Sequence, residues 1–195
     1  MVRHSIGGLA QSGEPRDDGS MNSRRIHRTR VGRWLVRHGP SWLTPRDDLT
    51  GAFSFLALSR VRPASCLALA DVVEMKRVNY VEGFACGQLV LAAVGDRLRR
   101  LPGVRVYRYG GDEFLVEAAP FTTEAEARAF GEQVASTMAA PVEGVSVPVR
   151  LRVTVDLDPV GRDSSAAIRR LDERSWGRGR GDGLLVLSAS QQSPA

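Results

Sequence analysis

The stretch Tyr107-Arg108-Tyr109-Gly110-Gly111-Asp112-Glu113-Phe114-Leu115-Val116 constrains this chain more than any other. Val104, Val106 and Tyr109 are apolar or aromatic with arginines between them, and Phe114-Leu115-Val116 resumes the same extended pattern. Between the two runs, Gly110 and Gly111 mark a tight reversal at which φ > 0 is expected, so the stretch reads as a β-hairpin. Asp112 and Glu113 sit at or just past the turn. Because successive strand residues point to opposite faces, one carboxylate is sent to each side of the ribbon. An acidic turn on a rigid hairpin suits a hard cation.

Charge is unevenly spread. The formal net charge is +5 over 195 residues, but residues 1–46 hold nine arginines against Glu14, Asp17 and Asp18, which leaves residues 47–195 at −1. The basic character therefore belongs to the N-terminal segment and not to the body. Residues 1–23, rich in Gly, Ser, Asp and Arg without an apolar period, read as disordered. Residues 24–38 carry Ile26, Arg30 and Trp34 on one side of a short basic helix, interrupted by Gly32. Three readings stand for it: a contact with an anionic surface, a connector that pairs two subunits, or a solvated basic tail, of which the last is favoured. No specific nucleic-acid partner is expected, since no stacking aromatics or reader motif accompany these arginines. Cys66 and Cys86 lack C-x-x-C spacing and suggest core or free thiols, not a disulfide framework or zinc site. With no transmembrane run and no apolar signal core, the expected location is the cytoplasm.

From Asp47 onward the chain reads as one domain, residues 47–190. Ala52–Val61 is a short helix, and Ser65–Ala70 a continuous apolar run of strand length that ends on Asp71. Glu74–Val81 is a polar helical turn or loop, and Gln88–Leu101 has helical apolar spacing with Pro102-Gly103 as its stop. Thr123 and Glu126 have capping-box spacing ahead of a helix bearing Phe130, Val134 and Met138. Val145–Leu157 alternates as a strand, with Pro148 favouring an edge or strand start. A helix over Ser164–Arg174, a Gly/Arg loop and the strand Leu184–Leu187 complete an α/β or α+β sheet with helices packed on it.

Two acidic points, Asp71 at a strand end and Asp112/Glu113 on the hairpin, converge if their strands are neighbours. Converged carboxylates hold a pair of Mg²⁺ ions in nucleotidyl transfer. Lys76, the only lysine of the chain, suits a phosphate oxygen. Gly110-Gly111-Asp112-Glu113-Phe114 is letter for letter the motif of the GGDEF family, the diguanylate cyclases that make cyclic di-GMP from two GTP. Arg108-Tyr109, Asp48-Leu49-Thr50-Gly51 and the register of Asp71, Lys76 and Asn79 resemble that family too, over residues 47–188.

The resemblance implies a central mixed sheet of about five strands, similar to nucleotide cyclase and polymerase palm folds. It implies Asp71, the carbonyl of Val72, Asp112 and Glu113 as ligands of two Mg²⁺ (or Mn²⁺) ions, with Glu113 also the catalytic carboxylate beside Asp112 and Asp71. Lys76 and backbone N–H groups near residues 73–76 would hold the triphosphate. Gly110 and Gly111 would leave room for the α-phosphate, and Asn79 would read guanine. GTP is the implied substrate and a homodimer is required, with an upstream regulatory partner as a further expectation. Departures accompany this. Val73, Met75 and Tyr80 replace the family's Asp, Phe and Asp, and Gln88 replaces a guanine-reading Asp. An amide accepts through one oxygen only, so altered base selectivity or a degenerate nucleotide-binding module is the alternative. A late phosphate-binding lysine falls at Gly179, where Arg178 and Arg180 would substitute. The first helix is expected to be truncated, and Leu101 and Val104 do not form an inhibitory Arg-x-x-Asp site.

Overall fold

The computed structural model describes residues 44–177 and 183–187. The basic N-terminal segment with its expected helix, and Arg178 and Arg180, lie outside them. Five strands form one mixed sheet in the order β2-β3-β1-β4-β5, with β1 Cys66–Val72, β2 Arg105–Arg108, β3 Glu113–Ala118, β4 Leu151–Asp156 and β5 Leu184–Leu187. β1 runs antiparallel to both neighbours, β2 and β3 are the antiparallel hairpin, and β4 and β5 are parallel. The helices are α1 Met75–Glu82, α2 Phe84–Arg99, α3 Glu124–Ser136 and α4 Ser164–Gly177, preceded by a 3-10 helix at Phe55–Arg60. The fold is α+β, as expected.

β1 is central because it is apolar on both faces. Ala68, Ala70 and Val72 join Phe114, Val116, Val153 and Val155 under α2 and α3, where Val90, Val94 and Leu98 recur at one face of α2. Leu67 and Leu69 join Tyr107 and Leu115 on the opposite face, beneath Ala167, Ile168 and Leu171 of α4. Thr123 caps α3 by accepting from the Glu126 backbone N–H at 3.2 Å. The reciprocal bond of this capping box is displaced by one residue: Glu126 accepts from the Thr122 N–H at 2.7 Å. Farther along α3, a Cβ at Gly131 would overlap Leu184, so this glycine lets the helix close onto β5.

Several expectations change. The helix read from Gln88 starts a turn earlier, at Phe84, and the polar turn after Asp71 is a true helix, α1. The long alternating run Val145–Leu157 is a strand only over Leu151–Asp156. Pro148 has no N–H to give a ladder, and the residues before it run outside the sheet as a loop. β4 itself is interior, between β1 and β5. Finally, neither Gly110 nor Gly111 has a positive φ among the described residues. A Cβ at Gly110 would instead press on the Glu113 carboxylate as it is placed here.

Candidate functional site

The register of the sheet places the acids. Asp71 lies opposite Glu113 on β3 and opposite Arg152 on β4. All three belong to one rung on the α4 side of the sheet. Asp112 is the turn residue just before β3, and its carbonyl accepts from the Val72 N–H at 3.1 Å, which ties the turn to the end of β1. The hairpin thus splits its two acids as the strand period requires, with Glu113 on the α4 side and Asp112 toward the α1–α2 side.

Their electrostatics follow from crowding. Burial, then the neighbouring Asp112, pushes the Asp71 carboxyl up, against the lowering influence of Arg152. Glu113 is likewise pushed up by burial and then by Asp71, Asp112 and Asp172 of α4. Carboxylates that raise one another are short of positive charge, and their hard oxygens are the donor chemistry of Mg²⁺ or Mn²⁺. In the arrangement described they stand close enough to repel without enclosing an ion: among the described residues no three His, Cys, Asp or Glu side chains form a metal-holding group. Arg108 holds the turn in place. Its Nε donates to the Gly110 carbonyl at 2.8 Å, its Nη2 donates to the Gly111 carbonyl, and its Nη1 lies 3.8 Å from Asp47.

On the α1–α2 side a cleft of about 410 Å³ opens, lined by Asp112 and Gly111 on one wall and by Lys76, Asn79 and Gln88 on the other. The volume is that of a small-molecule site. Leu49, Met75, Phe84 and Leu91 supply its apolar lining, and Arg108 reaches its floor. Leu49 is presented by a tight turn in which Asp47 Oδ1 accepts from the Thr50 N–H at 2.9 Å and Thr50 Oγ1 at 2.6 Å, with Gly51 at φ +65°. That turn packs on α2 through Gly95, where a Cβ would meet Thr50 at 2.6 Å. Asn79 Oδ1 is buried without a hydrogen-bond partner. It has room only because position 87 is glycine. An orphaned acceptor beside a cleft is an unfilled demand for a donor. Glu74, at φ 55°, holds a left-handed conformation in the turn that starts α1.

Of the residues singled out in the sequence, Lys76, Asn79, Gln88, Gly111 and Asp112 therefore meet in one cleft, while Asp71, Val72, Gly110 and Glu113 form the adjoining strand end. The sequence alone assigns no site role to Leu49, Phe84, Gly87, Arg152 or Asp172. The last two reach the acids only through strand register and the packing of α4, which no local pattern encodes.

Comparison with known proteins bears on this geometry. No family model matches the chain. The diguanylate cyclase TpbB of Pseudomonas aeruginosa (strain UCBPP-PA14) is 30% identical over 115 residues, 56% of this chain and 26% of that protein. A solved structure of TpbB from Pseudomonas aeruginosa comprising only its GGDEF domain aligns with a TM-score of 0.60 at 24% identity, covering 74% of this chain and 95% of that one. The chain is thus similar in sequence to diguanylate cyclases and shares the fold of their GGDEF domains. Another relative, the uncharacterized protein y4lL of Sinorhizobium fredii (strain NBRC 101917 / NGR234), is 34% identical over 128 residues, 63% of this chain and 15% of that protein. The chain thus spans about a quarter or less of the length of these curated relatives. No helix among the described residues is long and apolar enough to cross a membrane.

Proposed function

We propose that this GGDEF domain is a metal-dependent nucleotidyltransferase of the diguanylate cyclase type, condensing two GTP into cyclic di-GMP with release of pyrophosphate. One juxtaposition carries the reading: mutually repelling carboxylates at a strand end adjoin a cleft bearing a lysine, an orphaned amide oxygen and an apolar lining. Asp71, the Val72 carbonyl, Asp112 and Glu113 would hold divalent ions, which supply charge neutralisation at the α-phosphate and the leaving pyrophosphate. Lys76 binds phosphate oxygens across the cleft from Gly111 and Asp112. The purine lies against Leu49, Phe84 and Leu91 with Asn79 Oδ1 accepting from one of its N–H groups. Glu113, whose carboxyl is pushed up by burial and its acidic neighbours, takes the proton of the ribose 3′-hydroxyl or helps hold a second ion. Each chain binds one nucleotide, so the two attacks require two copies face to face, a homodimer at least during turnover. The domain 47–190 acts in the cytoplasm, Arg178 and Arg180 add phosphate contacts, and an upstream partner sets its activity.

The test is the full chain with Mg²⁺ and GTP, followed by mass spectrometry. Cyclic di-GMP and pyrophosphate are expected, and Asp112→Ala is expected to abolish both while leaving the fold intact. Absence of any cyclic dinucleotide from GTP or from a GTP/ATP mixture at high protein concentration overturns the reading. Gln88 in the cleft wall, together with Tyr80, 91% exposed on α1, favours a second reading: a nucleotide-responsive binding module without turnover, or a cyclase of altered base selectivity. Stabilisation by GTP without product formation would mark the module.

A further inference from the structure

The chain enters the domain beside an open apolar surface. Thr44 is buried and its hydroxyl accepts from Arg60 Nη1, while the Pro45 carbonyl accepts from the Ser54 N–H at 2.9 Å. The next two residues, Phe55 and Leu56, begin the 3-10 helix and are 59% and 42% exposed. On its inner side the Phe55 ring meets Tyr109 of the hairpin, with centroids 6.3 Å apart. Neighbouring apolar side chains left open to water gain from a cover.

The sequence directly upstream offers one. Trp42 and Leu43, outside the described residues, immediately precede Thr44. Three residues of chain span at most about 11 Å, so Trp42 starts within that distance of Pro45, which is itself bonded to the residue before Phe55. A tether this short holds the indole near Phe55 at an effective concentration of about millimolar, so a partner free in solution competes at a disadvantage.

We propose that Phe55 and Leu56 are a docking surface for this chain's own upstream segment, with Trp42 and Leu43 laid over them in cis. Through Phe55 and Tyr109 the docked segment stands one ring contact away from the turn that carries Gly110 and Gly111. The surface lies on the face of the sheet opposite to α1 and α2, apart from the cleft.

The deciding experiment uses the full chain with Trp34→Phe and Trp176→Phe, which leaves Trp42 as its one indole. Its emission is expected to be blue-shifted from that of N-acetyltryptophanamide, and its quenching by acrylamide several-fold weaker. Phe55→Ser combined with Leu56→Ser in that background is expected to return both readings toward the free indole. Tyr80→Ser, which removes a 91% exposed aromatic from α1, is expected to leave both unchanged. Far-UV circular dichroism checks folding, and if the paired change unfolds the chain, Leu56→Ser alone is read in its place with a partial return expected. A Trp42 that behaves as free indole in the parent, or that does not respond to the loss of the patch, overturns the proposal. So does an equal response to Tyr80→Ser, or a blue shift that develops only as protein concentration rises, which would mean docking between copies. Neither nucleotide nor metal enters these measurements, so their failure and a failed GTP assay are separately readable.

Discussion

The strand pair β1 and β3 ends twice in acid, and the two ends are opposites. At one end Glu117 of β3 lies across from Leu67, and at the other Glu113 lies across from Asp71. Glu117 is fully buried, yet donors surround it: Tyr107 Oη at 2.6 Å, the Arg62 Nε and its backbone N–H, and Arg105 Nη1 at 3.5 Å. The phenol of Tyr107 is held protonated above its ordinary range by burial and by that bond to Glu117. At the far end the neighbours of Glu113 are Asp71, Asp112 and Asp172, and the guanidinium in the rung is spent on Asp71. Same hairpin, same residue type: the two acids differ in the number of donors aimed at them before any ligand arrives.

That contrast breaks most visibly at Glu117. Glu117→Ala strands Tyr107 Oη and two arginines, and is expected to lower unfolding stability by roughly 3 kcal/mol, at the lower edge of the range for a broken buried ion pair because Arg62 reaches water. Urea unfolding measures it; a loss below about 1 kcal/mol would mean that the donors around Glu117 add little. Tyr107→Phe removes one donor and leaves the arginines, so a loss of about 1–2 kcal/mol is expected by the same measurement. The third effect is smallest and has the opposite sign. Asp71 and Glu113 hold their protons more tightly in the folded chain than in the unfolded one, so between the ordinary carboxylate range and their raised values the folded state binds more protons. Stability without metal should therefore fall as pH rises through that window, and the penalty is complete above it. Glu113→Gln should flatten this slope and leave neutral-pH stability equal to or above wild type. A urea midpoint that rises with pH in wild type and is unaffected by Glu113→Gln would erase the distinction between the two ends.

What the sequence carried was local. The hairpin, the Thr123 cap, the central strand ending on Asp71 and the cleft lysine could be read because each depends on residues a few positions apart. The Val145–Leu157 alternation misled because it continues through Pro148, where the chain cannot keep a ladder bond; alternation reports which residues face the core, not whether a partner strand is present. The turn glycines suggest a positive φ that neither adopts; a Cβ at Gly110 would press on the Glu113 carboxylate, and one at Gly111 would meet nothing. Arg152 and Asp172 were invisible, since one reaches Asp71 by pairing register across 81 positions and the other reaches Glu113 by the docking of α4.

The clasp of Arg108 on the two glycine carbonyls of the turn has a further consequence. A diglycine is the most freely moving pair a chain can offer, and immobilising each residue forfeits roughly 1–2 kcal/mol of backbone entropy. Here one guanidinium, itself packed over the Phe114 ring at 5.0 Å, binds both carbonyls while the protein folds. The loss is taken at folding, so the turn is already stiff before any ligand enters.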